Sequence, residues 1–209
     1  LNADICEIYT DVPGVFTADP NKVPGARMIP ELSFEEMLEM ASMGAKVMQS
    51  RAVEFAKKYG VPFAVKSTFT EGAGTMIRDM GVREWAVVSS VSLDDKQAKV
   101  TVYRVPDRPG VSAKIFGTIA AEKINIDMIV QNIGRDNAAD ISFTVGIADS
   151  EKTLALTSAA GGELGAERVA GDTDIAKVSI IGIGMMNQPG VAARMFETLA
   201  RHAINIEMI

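Results

Sequence analysis

Cysteine, histidine and tryptophan each occur once in the 209 residues, as Cys6, His202 and Trp85. A lone cysteine makes no internal disulfide, which suits a reducing compartment. One cysteine and one histidine cannot complete a Cys/His zinc site. A Cys–His nucleophilic pair would need Cys6 and His202 to meet from opposite ends of the chain. No resident metal is expected. Basic charge is also in short supply: 21 Lys+Arg against 27 Asp+Glu leaves −6. Such a surface gains little from neutralising phosphates, so nucleic acid is not an expected partner. No apolar run approaches the ~18 residues of a membrane span, so no membrane association is expected. The opening Leu1-Asn2-Ala3-Asp4 has neither the basic nor the apolar region of a signal peptide. A cytoplasmic location is the resulting expectation. What is present suffices for a core: 47% of residues are hydrophobic and 23% charged, with mean hydropathy +0.14, which excludes a wholly disordered chain.

The most informative feature is an internal repeat. Asp107 to Ile129 reads DRPGVSAKIFGTIAAEKINIDMI, and Asn187 to Ile209 reads NQPGVAARMFETLARHAINIEMI; 12 of these 23 positions are identical at an offset of 80 residues. Upstream, Ala98-Lys99-Val100-Thr101-Val102 resembles Ala176-Lys177-Val178-Ser179-Ile180. The period is too long for a solenoid unit and points to two copies of a small domain.

The first copy has the order of a ferredoxin-like βαββαβ fold. Val100 to Val105 is β-branched and alternating, as a half-buried strand is. Pro109 opens a helix whose apolar face is Val111, Ile115, Thr118 and Ile119. Strands are expected from Asn125 to Ile129, from Asp140 to Ile147 and, briefly, from Glu167 to Ala170. A second helix is expected from Glu151 to Ala160, and Gly161-Gly162 reads as a turn. The second copy ends in its second strand, Ile206 to Ile209. Glu84 to Leu93 reads as an extra strand before the first copy.

The first 80 residues differ in character. A strand from Ala3 to Tyr9 is followed by a turn-rich loop, Thr10 to Arg27. Ser33-Phe34-Glu35-Glu36 is a capping box. One long helix is expected from there through Met37, Leu38, Ala41, Ala45, Met48, Ala52 and Phe55, ending on Lys57, Lys58 and Gly60. A strand from Pro62 to Lys66 completes an α/β pattern. The methionines read as core fillers, His202 as a helix-end residue, Trp85 as an interface residue, and Glu71-Gly72-Ala73-Gly74-Thr75 as a plain loop lacking P-loop signatures.

The repeat itself carries no nucleophile–base pair and no metal-ligand spacing. It does offer a Pro-Gly turn onto a helix N-terminus, where free N–H groups can hold a carboxylate. Asp127, with Glu207 as its equivalent, could hold an ammonium. Those are the two charges of a free amino acid.

These residues resemble the ACT domain, an amino-acid sensor. The chain as a whole resembles the C-terminal part of the aspartate kinase family: the run Asn2 to Pro20 (NADICEIYTDVPGVFTADP), Leu32 to Met37, Gly44-Ala45-Lys46 and both Pro-Gly-Val segments carry the likeness. The resemblance implies residues 1–82 as the end of an amino-acid-kinase α/β sandwich, 83–172 as a first ACT domain with a preceding strand, and 173–209 as the start of a second. It also implies ATP contacts at Thr10, Asp11, Phe16, Asp19, Asn21 and Lys46. Asn21 stands where relatives often have arginine, and Phe16 where they have tyrosine. Effector contacts are implied at Asp107, Gly110, Val111, Ser112, Asn125, Ile126, Asp127 and Gln131, and at Asn205, Ile206 and Glu207. The implied ligands are ATP with Mg and the effectors lysine, threonine or both. The implied partners are a second copy through the ACT domains, or other aspartate kinase subunits. The family's Lys-Phe-Gly-Gly segment and aspartate-binding residues have no counterpart here, so no catalytic residue is expected and the 209 residues alone are expected to be inactive. The competing reading is a stand-alone amino-acid-sensing module, which would not need the loop at Thr10 to Pro20.

Overall fold

In the structure, a computed structural model, residues 5–45, 47–81, 87–134 and 136–209 are described. Packing divides the chain into two compact units, Leu1–Asp94 with Val178–Ile204, and Asp95–Lys177 with Asn205–Ile209.

In the first unit, strands β1 (Cys6–Thr10), β2 (Glu31–Ser33), β3 (Phe63–Ser67) and β4 (Thr75–Arg78) form a sheet of order β1-β3-β4-β2. β1 and β3 are parallel, so their carboxyl ends and the loops that follow lie side by side. The sheet packs on α1 (Phe34–Ser42) and α2 (Ser50–Tyr59) through a core that includes Leu32, Phe34, Met37, Val53, Phe63 and Ile77. Ser33 caps α1 as anticipated: its oxygen accepts the Glu36 N–H at 3.1 Å, and the Glu36 carboxylate accepts the Ser33 N–H at 3.3 Å. Glu36 is buried, and its second oxygen accepts a hydrogen bond from Ser89. The expected single long helix is instead two. Gly44, at φ 103°, takes a conformation that a right-handed helix cannot contain, and α1 stops at Ser42. α2 ends as expected, on Lys57, Lys58 and a left-handed Gly60 at φ 62°. Met37, Met40 and Met48 are buried, whereas Met43 is exposed.

In the second unit the sheet order is β6-β7-β5-β8, with β5 (Ser90–Pro106), β6 (Ile126–Ile133), β7 (Ala138–Gly146) and β8 (Arg168–Ile181). With helices α3 (Val111–Ala121) and α4 (Ser150–Leu164), this is the ferredoxin-like βαββαβ arrangement. Val100, Val102, Ile115, Ile119, Ile141 and Phe143 form much of its core. Thr118, expected on the apolar face, turns its hydroxyl back to the Lys114 carbonyl instead. Gly161 and Gly162 are not a turn but lie inside α4. A Cβ on Gly161 would sit 2.9 Å from Val169, so its absence is what lets helix and strand meet.

Two strands run longer than expected, and the division between units falls inside each. The extra strand and the first strand of the first copy are one strand, β5. The short fourth strand and the first strand of the second copy are likewise one, β8. Within the first unit the Ser89 N–H donates to the Ile181 carbonyl at 2.8 Å. Part of the expected extra strand, and Trp85, lie outside the described residues. Residues 206–209, expected as a strand, carry no regular structure. Backbone conformation nonetheless confirms the repeat. Gly110 and Gly190 cap α3 and α5 (Val191–Arg201) at φ 94° and 92°, and Lys123 and Ala203 follow those helices at φ 58° and 54°. His202 caps the end of α5 and directs a ring nitrogen to the Thr198 carbonyl.

Candidate functional site

The first candidate lies at the carboxyl ends of the parallel pair β1 and β3, where ligands of open α/β sheets are usually held. Thr10 ends β1, and its hydroxyl donates to Asp11 at 3.0 Å. Its carbonyl accepts the Thr68 N–H at 2.8 Å, joining the two loops. Beside it is a cavity of about 410 Å³ lined by Tyr9, Lys66, Ser67, Thr68, Phe69, Thr70, Glu71 and Gly72. Ser67 shapes its rim by accepting the N–H groups of Phe69 and Thr70. Phe69 is 79% exposed, an aromatic surface that packing in this unit does not explain. Lys66, the cavity's cation, donates to Glu7 at 2.5 Å, and the Tyr9 hydroxyl donates to the other Glu7 oxygen at 3.1 Å. Lys66 and then Tyr9 hold the Glu7 carboxyl below its usual range, and Glu7 raises Lys66. With that cation paired and Glu71 beside it, the cavity suits an uncharged ring better than a phosphate chain.

The remaining loop residues serve local structure as well. Phe16 is half-buried and pairs across the loop with Met28. Asp19 accepts the Asn21 N–H at 2.9 Å through its side chain and the Lys22 and Val23 N–H groups through its carbonyl. Asp19 and Asn21 therefore form one exposed turn and are not among the residues lining the cavity. Lys46 lies outside the described residues. The Thr17 carbonyl accepts the Val91 N–H at 2.8 Å, fastening this loop to the start of β5.

Two features escaped the sequence reading. One is the Ser67-Thr68-Phe69 wall; the signal for it is the glycine-rich segment after β3, which without a P-loop signature reads only as a plain loop. The other is Thr75, fully buried, whose hydroxyl accepts the Val15 N–H at 2.8 Å and donates to the Ile29 carbonyl at 2.6 Å. It ties together both ends of the loop that carries Phe16, Asp19 and Asn21. Thr75→Val keeps the shape and strands both partners, so urea unfolding is expected to show a loss of about 2 kcal/mol.

The second candidate is in the other unit. Gly110 leaves the start of α3 without a side-chain cap and without an acidic residue in the first turn; the Val111 N–H donates to the Arg108 carbonyl at 3.4 Å, and the N–H groups after it have no side-chain acceptor of the chain's own. Ser112 donates to Gln131 at 3.4 Å, which brings the helix start to the far end of β6. Asp107, also exposed, precedes this turn, and Val111 is buried beneath it. Asp127 stands elsewhere. A bulge in β6, between Ile126 and Ile129, is stabilised by the Thr144 hydroxyl accepting the Met128 N–H at 3.2 Å, and it leaves the Asp127 side chain facing Lys177. Four residues of strand separate Asp127 from Gln131, about 13 Å. Asn125 is exposed just before β6, and Ile126 begins it. Glu207 accepts from Lys99 at 2.6 Å and from Asn205 at 3.2 Å; Ile206 between them is exposed. The structure thus separates the expected effector residues at the helix start with Gln131 from the two acids, each of which is held by a lysine of the opposite copy.

Lys99, ahead of Asn205, holds Glu207 below its usual carboxyl value. Lys57 does the same for Glu35, and Lys152 for Glu122. An acid lowered in the folded state contributes stability above its unfolded value, 4.5 here, and that contribution disappears as pH falls through the folded value. Urea midpoints are therefore expected to be level from neutral pH to about pH 5 and to fall below pH 4.5. Glu207→Gln should reduce the acid-side slope.

Among the described residues no group of three or more His, Cys, Asp or Glu is placed to hold a metal ion, and no helix is long and apolar enough to cross a membrane.

Comparison with known proteins places the chain in one class. The amino acid kinase family model matches residues 1–67, and ACT domain models match 99–162 and 178–209. An aspartate kinase of Pseudomonas putida is 51% identical over 211 residues, covering 100% of this chain and 51% of the relative. The regulatory subunit of aspartate kinase from Thermus thermophilus, solved ligand-free, is 36% identical with TM-score 0.55, over 59% of this chain and 82% of that one. Aspartokinase III of E. coli, solved with lysine and aspartate, is 28% identical with TM-score 0.75, over 99% of this chain and 45% of that one. The chain belongs to the aspartate kinase family. It spans about half the length of the curated relatives it matches.

Proposed function

We propose that the chain is the regulatory part, and a portion of the nucleotide-binding part, of an aspartate kinase controlled by an amino acid. The parent reaction is attack of the aspartate β-carboxylate on the γ-phosphate of Mg-ATP. The loops after β1 and β3 take the nucleoside end, with Thr10 and Asp11 beside the cavity and Phe69 offering a ring face. The Asp19–Asn21 turn and Lys46 serve the phosphates, where cationic charge offsets that of the group in transfer. The metal arrives with the nucleotide.

The observation that carries the regulatory reading is the open helix start at Gly110 with an acid at Asp127 on the neighbouring strand. Their separation favours a long effector. The α-carboxylate and α-ammonium of an amino acid share one carbon and do not reach both clusters, whereas the side-chain ammonium of lysine does. Lysine is thus preferred over threonine. Exposed Ile129 and Ile133 on the sheet-edge strand β6 support pairing with a second copy. Isothermal titration of the chain with L-lysine and L-threonine, with sedimentation on the same samples, tests this. Saturable lysine binding with a tightened dimer is expected, and no ADP release from ATP and aspartate by these 209 residues alone. A folded sample that binds neither amino acid contradicts the reading.

A further inference from the structure

Each copy of the repeat has a lysine on its first strand and an acid after its helix: Lys99 with Asp127, and Lys177 with Glu207. In the structure the pairs are crossed. Lys99 of the first copy donates to Glu207 of the second, and Lys177 of the second donates to Asp127 of the first. The two lysine side chains are only 14% and 12% exposed, whereas Glu207 and Asp127 are 51% and 39% exposed. A nearly buried ammonium needs a counter-charge, and its acid keeps one side open to solvent. An isolated surface ion pair would need no explanation. Two such pairs at equivalent positions, both with withdrawn lysines and open acids, form a device built twice.

The acids concerned are those assigned above to a ligand's ammonium, and each already holds an ammonium of the chain itself. We propose that Lys99 and Lys177 are built-in competitors of the amino-acid ligand. The ligand's ammonium takes Glu207 or Asp127 only by displacing the resident lysine. Binding is then an exchange of one ammonium for another, and its free energy is the difference between two similar interactions. The lysines thereby set the threshold concentration of effector and select against ligands lacking a cation. The inference rests on the amino-acid site proposed above.

The test is calorimetric titration of L-lysine into the unaltered chain and into Lys177→Met and Lys99→Met, which keep the apolar stem and remove the charge. Affinity is expected to rise about tenfold in each variant, and Lys177→Arg and Lys99→Arg, which keep the pair, should behave as the unaltered chain does. Should a methionine variant fail to fold, Lys177→Gln and Lys99→Gln carry the same expectation. Acetylation rates measured without ligand give an independent readout. Lys177 should react faster in Asp127→Asn and Lys99 faster in Glu207→Gln, each change leaving the other lysine protected. Unchanged or weakened lysine affinity in the methionine variants overturns the inference while leaving the site standing. Absence of binding in every form, with the crossed acetylation pattern intact, overturns the site and the competitor role together.

Discussion

Gly74→Ala is expected to abolish the fold of the first unit. Gly74 sits at φ +72°, and a Cβ there would lie 2.2 Å from the Val65 carbonyl oxygen and 2.8 Å from Lys66 Cγ. The left-handed conformation alone costs a non-glycine residue about 1–2 kcal/mol. The collision is worse, because the opposing atom is backbone within the β3–β4 pairing, where Val65 stands opposite Thr75. That pairing cannot move without disturbing β3 in the middle of the sheet and the Thr75 hydroxyl that ties the loop ends. A loss of at least ~4 kcal/mol follows, a large share of the ~5–15 kcal/mol that a typical protein has. Little soluble protein is expected, and thermal melting of what is recovered should show no transition for this unit. A variant melting within a degree or two of the unaltered chain would show that the turn has another way around.

Phe143→Ala is expected to cost about 3–5 kcal/mol in the second unit. Phe143 is fully buried on β7, opposite Val100 on β5 and Ile129 on β6, and its ring meets that of Phe116 on α3 edge-on at 5.3 Å. One side chain therefore joins the two neighbouring strands and helix α3, whose start is the proposed effector contact. Its removal leaves a void that β-branched neighbours cannot fill without leaving their rotamers. The melting temperature should fall by about 10 °C, and amide exchange should quicken in β5, β6 and β7. Phe143→Leu, which retains most of the volume, is expected to lose less than half as much. Equal losses for both would mean that ring geometry, not volume, holds this core.

Much of this architecture was legible in residue patterns because the governing interactions are local. The Ser33–Glu36 capping box and the Gly60 helix end each depend on residues a turn apart and formed as read; the helix expected to open at Pro109 also formed, but it starts at Val111, after a left-handed Gly110 that leaves Pro109 outside the first turn. The repeat was legible because twelve identities fix the same backbone, down to the left-handed residues at Lys123 and Ala203. Misreadings came where a distant neighbour decides. The apolar spacing from Met37 to Phe55 fits one helix, but Gly44 takes a left-handed turn beside Ser92 and Asp94, which lie far along the chain. Gly161-Gly162 resembles a turn until Val169 is placed against α4. β5 and β8 were each cut short because no local signal shows that two short alternating runs are one strand. For the residues that the resemblance implies as effector contacts, spacing did not show that the helix start and the acids lie apart. That division depends on the β6 bulge, held by Thr144 from the neighbouring strand. Nor could spacing show that Asp127 and Glu207 already have lysine partners from the opposite copy.

The proposed function requires one amino acid to be held by the α3 start and the acids of the repeat. Hydrogen exchange of the chain with and without saturating L-lysine tests it most directly. Slowed exchange is expected at residues 108–113 and 126–131 together, with residues 205–208 following, and no such change in Asp127→Asn. Protection confined to one cluster, or found elsewhere and unaffected by Asp127→Asn, would contradict it.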